Sequence, residues 1–137
     1  MHERVREEIE ALLRPRYGDV QHGENLDWVL IPAFPLQEGF FNQASTRLLF
    51  RIPAGYPNTG PDDFFVDGGL RLANGDPIPG LNDGSQASSG PAPIDGPWGW
   101  FSWHPKDWRP AASIEEGDNL LTFLRGTGAC LRGEQET

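Results

Sequence analysis

The sequence contains a single cysteine, Cys130, among its 137 residues. One thiol forms no disulfide within the chain and builds no thiolate metal site by itself. Nothing in the composition therefore requires an oxidising compartment. His2 and His22 show no ligand spacing with any other residue, and the sequence predicts no metal site and no cofactor.

Positive charge is also scarce. Lys and Arg number 11 against 20 Asp and Glu, which gives a net charge of -9 at pH 7. Binding to nucleic acid depends on clustered Lys and Arg that contact phosphates, so this class of partner is disfavoured. A basic partner, or a basic patch on a partner, suits the charge better.

Long apolar runs are missing as well. The segment MHERVREEIEALL is charged where a signal peptide is apolar, and no run approaches the roughly 18 residues of a membrane span. With 37% hydrophobic and 11% aromatic residues, the chain has enough apolar side chains for the core of one domain. We expect a soluble, cytoplasmic protein that does not bind membranes.

Hydrophobic periodicity predicts a helix near each end of the chain. Residues 3–14 place Val5, Ile9, Leu12 and Leu13 on one face, and Pro15 is expected to end this helix at about Arg14. The leucine-rich run at 120–124 predicts the second helix. Two N-terminal caps are possible for this helix. One is Asp118, for a helix that begins at about Asn119, and the other is a capping box of Ser113 and Glu116.

Four short apolar segments between the helices predict strands, at 28–31, 46–52, 64–66 and 70–72. Because they follow one another along the chain, an antiparallel meander is favoured, and the segregation of helices from strands indicates the α+β class. Residues 74–99 are rich in Gly, Pro and Ser and predict a long loop with a mobile middle. They lack the lysine of a phosphate-binding loop.

The segment GWFSWHPKDWRP, residues 99–110, concentrates three of the five tryptophans. Ser102 and His104 are separated by one residue, so in an extended segment both side chains project from one face. An imidazole can accept the proton of a serine hydroxyl, and a carboxylate such as that of Asp107 can orient the imidazole. Most Ser-x-His pairs do no chemistry, so simple hydrogen bonding to the backbone is the alternative.

Two groups of residues are candidates for partner binding. Exposed tryptophans often dominate protein interfaces, which makes Trp98, Trp100 and Trp103 one group, although these rings can equally pack beneath the long loop. The N-terminal helix carries Arg4 and Arg6 and is the most basic surface that the sequence offers. A solvated face with Glu–Arg pairs is its plainer interpretation.

Two segments resemble the ubiquitin-conjugating (E2) enzymes. RIPAGYPNTGPDDFFV is similar to the E2 element in which a strand runs into Tyr-Pro, here Tyr56 and Pro57, followed by a second proline and a phenylalanine-bearing strand. WRPAASIEEGDNLLTFL is similar to the E2 stretch in which Trp-x-Pro, here Trp108 and Pro110, precedes a leucine-rich helix. The resemblance covers most of residues 3–131, and the group that the chain resembles is prokaryotic E2 family E.

The resemblance implies a single E2-like domain over residues 1–137, with a loop at 74–99 and a frayed tail at 132–137. Its fold would comprise an N-terminal helix, a four-stranded antiparallel meander, the long loop and a C-terminal helix. The implied partners are a bacterial ubiquitin-like protein and an E1-like activating enzyme, which the first helix helps to contact. The implied role is that of a carrier or transferase in a conjugation pathway.

The chain departs from the E2 pattern at the catalytic position. The resemblance implies a catalytic cysteine about eight residues before Trp108, but Trp100 stands there, and the usual His-Pro-Asn motif is missing. Cys130 lies on the apolar side of the last helix and is expected to be structural. We expect Ser102 to carry the ubiquitin-like protein as an oxyester, and an inactive E2 variant that only binds this protein is the alternative.

Overall fold

In the computed structural model, which describes residues 2–134, helices pack against one face of a six-stranded antiparallel sheet. The elements are α1 (His2–Glu8), a π-helical turn (Ile9–Leu13), α2 (Arg14–Tyr17), β1 (Gln21–His22), β2 (Trp28–Pro35), β3 (Ser45–Arg51), β4 (Phe64–Asp67), β5 (Leu81–Asp83), a 3-10 turn (Gly84–Gln86), β6 (Trp98–Phe101) and α3 (Leu120–Leu131). The α+β class is confirmed, and the architecture is compatible with the E2 fold. Residues 135–137 of the expected frayed tail lie outside the described part.

The N-terminal helix runs past Pro15, so the prediction that it ends near Arg14 was wrong. A proline ring clashes with the carbonyl group four residues earlier in a regular α-helix, and it donates no hydrogen bond. Here the backbone N–H of Arg14 donates to the carbonyl of Ile9, five residues back, in the π-helical turn. This wider turn precedes the proline and lets α2 continue to Tyr17.

The sheet has six strands in the order β1-β2-β3-β4-β6-β5, and every pair is antiparallel. The expected count of four was therefore wrong. Residues 70–72 form no strand and contribute only a single bridge between Phe41 and Leu72. The expected loop instead contains β5, and β6 begins at its end. Strand β2 also runs on to Pro35, with a register shift between Ile31 and Phe34 where Pro32 donates no ladder hydrogen bond.

Both faces of the sheet are covered. Side chains alternate, so that Leu48 and Phe50 face the helices whereas Leu49 belongs to a second buried cluster on the opposite face. The second cluster contains Leu30, Leu49, Phe65, Trp98 and Trp100, and it is covered by part of the segment that follows β5. We call residues 84–97 the strap. Among residues 2–134, no helix is long and apolar enough to cross a membrane.

Helix α3 is capped by Asn119, whereas the expected caps were Asp118 or the pair of Ser113 and Glu116. The Asn119 side chain accepts a hydrogen bond from the backbone N–H of Thr122 at 2.9 Å, and the Thr122 hydroxyl accepts one from the backbone N–H of Asn119 at 3.0 Å. This reciprocal pair is a capping box. Asp118 instead accepts from the backbone N–H of Arg109 at 2.7 Å, which ties the start of α3 to the segment after β6.

One carboxylate joins three parts of this fold. Glu8 is fully buried, and its Oε1 accepts hydrogen bonds from the hydroxyl of Tyr56 at 2.6 Å and from the backbone N–H of Leu120 at 2.7 Å. Its Oε2 is paired with Nε of Arg4 at 2.8 Å. Burial, reinforced by the neighbouring Glu8 carboxylate, raises the pKa of Tyr56 well above its ordinary value, so the phenol remains a donor.

Replacing Glu8 is expected to destabilise the protein strongly. Glu8→Ala leaves the mostly buried guanidinium of Arg4 without its carboxylate and leaves the Tyr56 hydroxyl without its acceptor, which costs about 3–5 kcal/mol of unfolding free energy. Urea titration monitored by tryptophan fluorescence measures this loss. Glu10→Ala is the matched control, because Glu10 forms an exposed pair with Arg14 and its loss costs less than about 1 kcal/mol. Equal midpoints for the two variants would contradict the role given to Glu8.

Candidate functional site

The candidate site begins where β6 ends. Ser102 and His104 are both exposed, and between them Trp103 is buried, with 1% of its surface accessible. Trp98 and Trp100 belong to the strap-side cluster whereas Phe101 and Trp103 belong to the helix-side core. Ser102 and His104 occupy the next alternate positions of the sequence after Trp98 and Trp100, beyond the end of the strand.

Trp103 anchors this segment to the core. Its ring lies 5.7 Å from the ring of Phe123 on α3, in a stacked arrangement, and it meets the edge of Phe64 at 6.3 Å. The glycine at position 126 makes the contact with α3 possible, because a Cβ atom there would lie 2.5 Å from the Trp103 ring. The buried ring fixes the backbone from which Ser102 and His104 project outwards.

A second tryptophan anchors the other end of the segment. The indole Nε1 of Trp108 donates to the carbonyl oxygen of Pro57 at 2.6 Å, and its ring centroid lies 6.2 Å from that of Tyr56. A Cβ atom at Gly60 would come within 2.6 Å of the Trp108 ring, so this ring packs directly on the backbone of the Tyr-Pro element. The two segments that resemble E2 enzymes are therefore in contact.

Between these anchors, the site is an open surface. Residues 102–109 form no helix or strand, and the chain bends at Lys106 and Asp107, where Asp107 has a φ of 55°. Within the described part of the chain, the side chains of Ser102, His104 and Asp107 make no hydrogen bond with one another. Ser102 and His104 are each exposed, and these three residues form no assembled triad in the structure.

Trp100 occupies the position at which the resemblance implies a cysteine. It lies on β6 opposite Phe65, and its indole Nε1 donates to Oδ2 of Asp63 at 2.8 Å. The same oxygen accepts a hydrogen bond from the hydroxyl of Ser89 in the strap. Asp63 is buried, whereas the preceding Asp62 is exposed.

The strap is held over Trp98 and Trp100 by further polar contacts. The Arg51 guanidinium donates to the Ser89 hydroxyl at 3.1 Å and to the carbonyl of Pro91. Trp98 donates from its indole to the carbonyl of Ile94 at 2.7 Å. A cleft of about 610 Å³ lies between the strap and β5, and Ser102 and His104 do not line it.

The expected partner-binding residues have little free surface. Trp98, Trp100 and Trp103 are all buried. The Arg4 guanidinium donates hydrogen bonds to the Glu8 carboxylate and to the carbonyl of Ala111. Arg6 is exposed on α1. Roles for these five residues in partner binding remain predictions.

Cys130 is not a nucleophile in this fold. Its side chain lies in the core on α3 with 4% of its surface accessible. Burial raises the pKa of the thiol to about 12, so the thiolate that acts as the nucleophile is almost absent near neutral pH. The structural role predicted for this residue agrees with its position.

Comparison with protein families identifies the family of the chain. The model of prokaryotic E2 family E matches residues 15–132. The chain belongs to prokaryotic E2 family E. Searches of curated proteins and of solved structures each gave no significant match.

Membership of prokaryotic E2 family E supports an E2-like role in the conjugation of ubiquitin-like proteins. It also indicates, in general terms, a ubiquitin-like protein and an E1-like enzyme as partners. The match includes the Tyr-Pro element and Trp108, which are in contact in the structure, and helix α3, whose first residue binds the same Glu8 oxygen as Tyr56.

Cys130 is expected to react with iodoacetamide only after unfolding. At pH 8 the raised pKa of this buried thiol leaves far less thiolate than an exposed cysteine would have, and the reagent attacks the thiolate. Mass spectrometry before and after addition of urea measures the alkylated fraction. Alkylation of the folded protein at the rate of the urea-unfolded chain would contradict the burial of this residue.

Asp63 is expected to hold the strap in place. Asp63→Ala leaves the buried indole N–H of Trp100 without its acceptor, which costs about 1–3 kcal/mol, and it releases Ser89. We expect faster hydrogen exchange in residues 84–97 and a lower urea midpoint. Asp62→Ala is the matched control, because Asp62 is exposed. If Asp63→Ala exchanges no faster than Asp62→Ala, the strap is held by other contacts.

Proposed function

We propose that this E2 family member carries the C-terminal glycine of a ubiquitin-like protein as an oxyester on Ser102. The observation that supports the proposal is the exposure of both Ser102 and His104, which lie two and four residues after the position at which the E2 resemblance implies a cysteine. The only thiol in the chain is buried and protonated, so it does not offer a competing nucleophile. The site is open, which suits a protein as the acyl donor rather than a small molecule.

The reaction would be an acyl transfer from an E1-like enzyme. The Ser102 oxygen attacks the carbonyl carbon of the thioester that this enzyme holds, and the His104 imidazole accepts the hydroxyl proton. The new C–O bond forms as the C–S bond breaks, and the imidazolium returns the proton to the departing thiolate. Catalytic hydrogen bonds in unliganded enzymes are often long and tighten when the substrate binds, so the open Ser102–His104 geometry is compatible with this role.

Asp107 and the N-terminal helix would play supporting parts. Asp107 lies at the bend three residues after His104, where its carboxylate would orient the imidazole once the segment closes on a donor. Arg6 is exposed on α1 and would contact the E1-like enzyme, while Arg4 holds Glu8 beneath it. Trp98, Trp100 and Trp103 are buried, so they would support the surface that binds the partner without contacting the partner themselves.

A second candidate is favoured by the position of Trp100. An aromatic ring stands where the family keeps its sulphur, and Asp63 holds it in a packed cluster. Together with the unassembled Ser102–His104 pair, this suits an inactive E2 variant that binds the ubiquitin-like protein without forming a bond to it.

The covalent adduct distinguishes the two candidates. The protein is mixed with the E1-like enzyme, ATP and the ubiquitin-like protein, and we expect an adduct that survives thiol reductant but is cleaved by hydroxide. Ser102→Ala should abolish it, and His104→Ala should slow its formation by about 10²–10⁴-fold because the general base is lost. Ser102→Cys should give an adduct that reductant cleaves.

Two variants serve as controls. Ser88→Ala removes an exposed hydroxyl in the strap and should leave the adduct intact, as should Cys130→Ala in any fraction that folds. Loss of the adduct in folded Cys130→Ala would overturn the assignment of Ser102. Measurable binding of the ubiquitin-like protein, with no adduct formed by the wild type, would establish the second candidate instead.

A further inference from the structure

The chain contains one lysine, and it lies in the candidate site. Of the 11 Lys and Arg residues, Lys106 alone is a lysine, and the other 10 are arginines. Lys106 is exposed, two residues after His104 and four residues after Ser102. A protein of this size normally carries several lysines, since lysine is among the commonest residues.

This bias has a chemical consequence for a protein that holds an activated ester. A primary amine attacks an ester and converts it to an amide, whereas a guanidinium stays protonated and does not act as the nucleophile. With arginine at every other basic position, the surface keeps its positive charges without offering amine acceptors. Lys106 is consequently the only side-chain amine that can take the acyl group.

The geometry keeps this amine near the ester. Four residues span at most about 13–14 Å between Cα atoms when fully extended, and the bend at Lys106 and Asp107 shortens that span. Buried Trp103 and the Trp108–Pro57 hydrogen bond hold both ends of the segment, so the two side chains project from a short, tethered stretch. Ser102 and Lys106 are both exposed.

We propose that Lys106 is a site of self-modification, at which the ubiquitin-like protein is transferred from Ser102 to the chain's own lysine. This inference rests on the proposed ester at Ser102. The neutral Nζ of Lys106 attacks the ester carbonyl, a C–N bond forms and the C–O bond to Ser102 breaks. One amine proton goes, through His104 or water, to the departing serine oxygen. The products are an amide at Lys106 and a free Ser102 hydroxyl, ready for another donor.

Hydroxide treatment separates the two linkages in one experiment. After reaction with the E1-like enzyme, ATP and the ubiquitin-like protein, wild type should show a fraction of adduct that hydroxide does not cleave, and peptide mapping should place it on Lys106. Lys106→Arg should lose this fraction and accumulate the base-labile ester. The double variant K106R/R125K moves the lysine to an exposed position on α3, and it should not regain the base-stable adduct.

The outcomes separate this inference from the function on which it rests. An ester without any base-stable adduct would overturn the role of Lys106 and leave the carrier function standing, and so would an amide mapped to the free α-amino group. No adduct of either kind would overturn both. A base-stable adduct on Lys106 that persists in Ser102→Ala would show that the acyl group does not pass through serine.

Mixing two variants tests whether the transfer occurs within one chain. Lys106→Arg retains the proposed ester donor, and Ser102→Ala retains the acceptor lysine. If transfer is intramolecular, the mixture forms no amide on Ser102→Ala. An amide on that variant would overturn the intramolecular route.

Discussion

The buried carboxylate of Glu8 is the contact on which the arrangement of this E2 family member depends. It links α1, the Tyr-Pro element and the first residue of α3, which lies 112 positions away along the chain. A helix N-terminus offers unpaired N–H groups and a partial positive charge, so it favours an anion at this point. The guanidinium of Arg4 and the phenol of Tyr56, which its raised pKa keeps protonated, satisfy the remaining sites on the carboxylate. Tyr56 is followed by Pro57, whose carbonyl holds Trp108 at the end of the candidate site.

Sequence patterns were sufficient for elements with a helical period or an uninterrupted apolar run. The two helices have such a period, the strands β2, β3 and β4 contain such runs, and they lie where these patterns predict them. Strand β6 reads WGWF, in which a glycine interrupts the apolar run, and β5 is a short edge strand whose pairing with Phe101 and Trp100 depends on tertiary contact. Pro15 was misjudged because the π-helical turn that accommodates it leaves no local signal.

The same reasoning applies to individual side chains. The spacing of Ser102 and His104 predicts that both lie on one face. Both are exposed on either side of buried Trp103, and their shared role remains a prediction. Glu8 and Asp63 were missed because charged residues are seldom buried without partners, and their partners are distant in sequence. A signal was present for each, since Glu8 follows Val5 by three residues on the apolar face and Asp63 precedes Phe65 by two residues at the start of β4.

Under the proposed function, the absence of the cysteine that the E2 resemblance implies and the presence of Ser102 and His104 can be understood as one change. Trp98 and Trp100 on β6 belong to the cluster under the strap, and Ser102 and His104, at the next alternate positions of the sequence, are exposed beyond the end of the strand. A step of two residues along an extended chain is about 7 Å, so a nucleophile at Ser102 lies one step beyond the position that Trp100 fills. The side chain at position 100 lies inside the buried cluster, where Trp100 pairs with Phe65 and binds Asp63. A nucleophile in place of Trp100 would therefore be buried. Ser102, two residues further on, is exposed, so under the proposed function it is the position that an acyl donor would reach.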